Sequence, residues 1–183
     1  MRRALTLHPD ERCGAVTGIE VAATRPAPGR LALHYAVAGE LRDLSVPAVT
    51  APTRADGLWR ATCFEAFVRR PTGEAYGEFN MSPSRQWACY RFGAYRAGMA
   101  PMAGVGDPRI DVALSETRLD LRAVWDLDGA ADLQGEGPWR LGLSAVIEEA
   151  GGRMSHWALA HPSGKADFHH ADSFALQLTI MDP

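Results

Sequence analysis

Four residues in the middle of the sequence carry the chemistry most worth weighing. Glu65, Glu78, Asn80 and Arg91 fall within LWRATCFEAFVRRPTGEAYGEFNMSPSRQWACYRFGAYRAGM, from Leu58 to Met99. Two carboxylates, an amide and a guanidinium brought together either grip the hydroxyls of a polar ligand or form an exposed charge network on a sheet face, which is weak. Paired carboxylates are also the equipment of a glycosidase. A guanidinium beside them lowers a carboxyl pKa, the wrong direction for a general acid. The preferred reading is a binding cleft without catalysis.

The elements that must position these residues read as three consecutive antiparallel strands: Thr62–Arg69, Ala75–Met81 and Trp87–Gly93. In the first, Phe64, Ala66 and Val68 alternate with Cys63, Glu65 and Phe67. Such period-two alternation marks a sheet with two unlike faces. Arg70-Pro71-Thr72-Gly73 has the residues of a short hairpin loop. If Arg70 pairs with Gly73, Glu65 lies opposite Glu78, Cys63 opposite Asn80, and Phe64 opposite Phe79. A turn at Pro83–Gln86 then brings Arg91 beside Glu78 to offset the facing carboxylates. Phe67, Tyr76, Trp87 and Tyr95 lie on or near the same surface.

Around this centre stand further candidates. Trp59 precedes the first strand, and either caps the core or stacks on a ligand ring. Trp157 is an alternative stacking surface. Tyr95 and Arg96 begin a loop after the third strand, where contact residues on a rigid scaffold are common. A later loop, HPSGKADFHH from His161 to His170, offers Lys165, Asp167 and His169 as donors and acceptors. His161, His169 and His170 with Asp167 are also conceivable metal ligands, but no pair has a strong zinc spacing. Asp126, Asp128 and Asp132 lack the spacing and final glutamate of a helical calcium loop, so a solvated loop is the better reading.

The rest of the chain is strand-like. Ala4–Leu7, Gly18–Thr24 and Arg30–Ala38 alternate, the last two as a hairpin about Pro26–Gly29. Leu41–Pro47 reads ambiguously, as a strand ending at proline. Arg109–Leu114, Arg118–Leu127, Arg140–Glu149, Met154–Ala160 and Phe174–Ile180 follow, with a turn at Glu148–Gly152. The expected fold is all-β: an antiparallel, jelly-roll-like β-sandwich of about ten strands with little helix, in one domain spanning 1–183.

LWRATCFEAF, EFNMSPSRQWACYRFGAYRAGM and SHWALAHPSGKADFHHADSFAL resemble DOMON-like domains related to family 9 carbohydrate-binding modules. The resemblance runs from about Leu58 to the end of the chain. It implies a β-sandwich that binds a small carbohydrate or, in some relatives, haem. A haem iron held by methionine and histidine would draw on Met81, Met99 or Met102. The alternatives to sugar binding are thus a haem- or metal-binding sensor or electron carrier, and a structural or protein-interaction domain.

Composition narrows the field. With 183 residues the chain can bury a core without disulfides or metal. A net charge of −3 gives no electrostatic case for nucleic acid or an anionic membrane. No apolar run approaches the roughly 18 residues of a membrane helix. The opening MRRALTLHPDERCG lacks a secretory apolar core. Cys13, Cys63 and Cys89 lack metal spacing, and reduced thiols in a cytoplasmic protein are expected. There is no nucleophile elbow, phosphate loop or zinc-peptidase motif. No cofactor and no enzyme activity are expected, and the partner is a small carbohydrate-like molecule.

Overall fold

The computed structural model describes residues 2–181. They form β1 (Arg2–Leu7), β2 (Val16–Thr24), β3 (Arg30–Gly39), β4 (Cys63–Arg69), β5 (Tyr76–Met81), β6 (Trp87–Phe92), β7 (Ala100–Pro101), β8 (Arg109–Leu114), β9 (Arg118–Asp126), β10 (Trp139–Glu148), β11 (Met154–Ala158) and β12 (Leu176–Leu178). All ladders between these strands are antiparallel, and the helical elements among the described residues are four single 3-10 turns. Leu41–Asp43 is one of these turns rather than part of a strand.

Eleven of the strands follow one path, β7-β6-β5-β4-β10-β11-β1-β2-β3-β9-β8, curled so that its halves face each other, and β12 pairs with β10 off this path. β1 belongs to both halves. Its first residues pair with β2, and Thr6 and Leu7 pair with β11. The inner faces meet in one apolar core. Tyr35 of one sheet lies 4.9 Å, centroid to centroid, from Phe64 of the other. Trp125, from β9, contacts Phe79 and Trp87 across the gap. Phe64, Ala66 and Val68 all point inward, as their alternation dictates.

The register differs from expectation. Glu65 pairs with Asn80, and Phe67 with Glu78. The loop between Arg69 and Tyr76 is six residues long, so it is not a tight turn at Arg70–Gly73. The slip is two residues, which keeps every side chain on its assigned face. β6 pairs one residue away from the expected alignment: Tyr90, not Arg91, lies opposite Glu78. That odd slip sends Arg91 to the other face of the sheet, where it pairs with Asp132. Cys63 and Cys89 consequently lie on opposite faces, and both are free thiols.

The outer face of β4, β5 and β6 carries a second apolar cluster. Phe67, Tyr76, Tyr90 and Phe92 come from the strands, and Phe168 and Phe174 from the segment between β11 and β12. Gly142 of β10 permits this segment to lie close, since a Cβ there would meet the Ser173 carbonyl at 3.0 Å. The segment is tied down by Ser173 Oγ donating to the Asp167 carbonyl, and by the rings of His8 and His161, bonded to the carbonyls of Gly164 and Thr6.

Candidate functional site

Between the outer face of the strands and this covering segment lies a cleft of about 400 Å³, within the range of small-molecule sites. Glu65 and Glu78 form its floor, with Val146 and His156 from β10 and β11 beside them. Trp59, Phe92, Arg96, Met99, Ala166, Phe168 and His169 complete its lining. Trp59 sits on the 3-10 turn Leu58–Arg60, with its ring edge-on to Tyr90 at 6.0 Å.

Glu65 is 3% exposed, and its carboxyl makes no ion pair among the described residues. The buried Ser144 hydroxyl, opposite it on β10, makes no hydrogen bond. Burial, and secondarily the charge of Glu78, push the Glu65 carboxyl well above the usual carboxylate range. Glu78 is raised too, by burial, although the Asn80 amide and the charge of Arg96 oppose this. Asn80 Nδ2 donates to Glu78 Oε1 at 2.6 Å, while the buried Asn80 Oδ1 has no partner. The carboxyls are therefore displaced upward, the reverse of what an adjacent Arg91 would do.

In the unfolded chain Glu65 ionises near its ordinary value of 4.5. In the fold it keeps its proton to higher pH. Between those limits the native state binds more protons, so Glu65 removes stability as pH rises past about 4.5. Glu65→Gln is expected to melt above wild type at about pH 8, with the gap closing towards pH 4. A variant melting with or below wild type at the higher pH would contradict this account of the buried carboxyl.

His169 is held neutral. Burial, then the charge of Arg96, push it down to about 4. The Arg96 backbone N–H donates to the Tyr76 hydroxyl, whose oxygen lies 2.7 Å from His169 Nδ1. His169 Nδ1 thus faces the phenol, and its Nε2 lies 3.8 Å from Glu78 Oε2. Arg96 adopts a left-handed backbone, φ 52°, a conformation that is uncommon for a side-chain-bearing residue. Its guanidinium donates to Asp167 at 2.8 Å, and Tyr95 donates to the same carboxylate. This clamp joins the loop after β6 to the covering segment.

The expected site residues divide accordingly. Trp59, Glu65, Glu78 and His169 come together in the cleft. Asn80 supports Glu78 from below. Tyr95 and Asp167 hold the rim and, with Lys165, face a neighbouring depression. Arg91 is excluded by the odd register slip. Trp157 is excluded as well: it points into the sandwich core, pairing with Ala145 and bonding Ser155 Oγ. Its neighbour His156 takes the cleft position and is oriented by Glu11 at 2.8 Å. Phe92, Met99, Val146, His156, Ala166 and Phe168 line the cleft without having been expected as ligand contacts. Alternation did place His156 on the face opposite Trp157, but tryptophan drew the choice.

The expected metal-ligand set does not assemble, and of the three methionines considered for haem Met99 alone lines the cleft, with His156 and His169. Among the described residues no three of His, Cys, Asp and Glu converge in a metal-ligating group. Met81 lies in the core beneath Trp125, and Met102 packs against Cys89. Asp126 and Asp132 are engaged by Arg30 and Arg91.

The sequence matches no protein-family model, and a search of curated proteins finds no significant match. Solved structures share the fold. A Bacteroides uniformis protein proposed to bind carbohydrate superposes with a TM-score of 0.70 at 14% identity, covering 99% of this chain and 86% of its own. A family 9 carbohydrate-binding module from Caldicellulosiruptor kristjanssonii, in complex with glucose, gives 0.54 at 11% identity, covering 95% of this chain and 81% of that one. At these identities the likeness establishes a common architecture.

Proposed function

We propose that the chain is a non-catalytic binding domain whose cleft takes a small carbohydrate. The observation that carries this reading is the cleft itself, where a half-buried tryptophan stands beside two buried, hydrogen-bond-accepting carboxyls. An aromatic face suits the C–H side of a sugar ring, and convergent polar groups suit its hydroxyls. A fold shared with a glucose-bound module supports it. Binding without hydrolysis fits the placement of Glu65 and Glu78. They are diagonal neighbours on adjacent strands and approach a ligand from one wall, whereas a hydrolytic pair flanks the scissile bond.

The test is calorimetric titration with a panel of monosaccharides. A saturable isotherm is expected, and Trp59→Ala should weaken it about tenfold, the loss of about 1.4 kcal/mol that an aromatic contact can supply. Absence of binding across the panel, or full affinity in Trp59→Ala, would overturn the assignment of this cleft.

A further inference from the structure

The charges at the cleft do not balance. Glu65 and Glu78 face it with no cation committed to either. Arg96, the cationic side chain lining the cleft, is already paired with Asp167. His156 is bonded to Glu11, and His169 to the Tyr76 hydroxyl. Glu65 is a buried carboxyl that lines the cavity without an ion pair, beside a buried amide oxygen of Asn80 that has no hydrogen-bond partner. The floor thus presents two carboxyls and an amide oxygen with no cation between them. An occupant that brings donors and positive charge would satisfy several groups at once, and one bearing a carboxylate would be repelled.

We infer that the preferred ligand is an amino sugar with a free ammonium group, seated over Glu65 and Glu78. This rests on the carbohydrate-binding reading above and specifies its substrate class. An ammonium supplies three donors, enough for both carboxyls and one further acceptor. Its charge restores the Coulomb attraction that an empty, desolvated carboxyl pair lacks. Because burial holds protons on this pair, entry of the cation drives them off. Affinity should therefore rise with pH while the amine remains charged. A neutral hexose has no such dependence.

The experiment compares D-glucosamine, D-glucose and N-acetyl-D-glucosamine by calorimetry at about pH 6, where the amine is charged, in two buffers of different ionisation enthalpy. The expected result is at least tenfold tighter binding of glucosamine than of glucose, with proton release. N-acetylation, which removes the charge, should remove the gain. Glu78→Gln and Glu65→Gln should each shrink the preference. Glucose binding as tightly as glucosamine, or a preference that survives both substitutions, would overturn the inference and leave the carbohydrate site standing. Failure of all three sugars, and of the wider monosaccharide panel, would overturn both. Should either variant fail to fold, the wild-type comparison and proton release decide alone.

Discussion

Phe67→Ala is expected to cost about 3–5 kcal/mol of folding free energy and to abolish ligand binding along with it. Phe67 is 1% exposed at the centre of the outer cluster. Its ring centroid lies 5.0 Å from His169 and 6.4 Å from each of Tyr76, Phe168 and Phe174. Two of those rings, and His169 itself, belong to the segment that walls the cleft. Removing Phe67 leaves a void that the flat strands beneath cannot fill, because β4 is pinned by β5 and β10. The covering segment then loses its seat, and His169 its place beside Glu78. Urea denaturation measures the stability, and calorimetry with the monosaccharide panel measures the binding. Phe67→Leu, which keeps most of the volume, should lose much less of each. An alanine variant within 1 kcal/mol of wild type would show that the cover is not seated on this residue.

The second large effect lies far from the cleft. Arg25 has no exposed surface, yet it makes no ion pair among the described residues. Its guanidinium donates to the carbonyls of Pro28, Gly135 and Gly137, at 2.6–2.9 Å, and lies 3.8 Å over the Trp139 ring. It fastens the Gly-rich connection between β9 and β10 to the β2–β3 turn. Hydrogen bonds to charged groups contribute roughly 1.5–3 kcal/mol each, and carbonyls freed near the surface recover part of this from water. Arg25→Met should therefore destabilise the fold by about 3–4 kcal/mol. Amide exchange should rise in residues 128–138 before it rises elsewhere. Arg25→Lys keeps the charge without the fork and should fall in between. A methionine variant of wild-type stability would refute this role.

Arg25 was not legible in the sequence, because nothing local distinguishes a buried arginine from the many exposed ones. The strands of the central sheet were legible because their alternation is clean. Phe64, Ala66 and Val68 had to share a face whatever their partners were. The same logic explains the two register errors and their unequal consequences. The loop after Arg69 is longer than its Pro and Gly suggested, but by an even shift, so Glu65 and Glu78 still emerged on one surface. The β5–β6 connection differed by one, and a single residue moved Arg91 through the sheet. Trp157 failed for a related reason. His156 and Trp157 are adjacent, both aromatic, and only the partner strand decides which faces the core. The covering segment kept His169 in the site because Phe168 and Phe174 anchor it on either side, a tertiary arrangement with no local period to announce it.

The shared strand β1 sets a schedule for the nascent chain. Thr6 and Leu7 leave the ribosome about 150 residues before their partners Ala158 and Trp157. At roughly 5–20 residues per second, the first strand waits roughly 8–30 s for the strand that sews the two sheets together. Until then β1 can pair with β2 but leaves its far end unclaimed, an open edge of the kind that recruits strands from neighbouring chains. The same residues that close the finished fold are thus the ones most in need of shielding while it is being made.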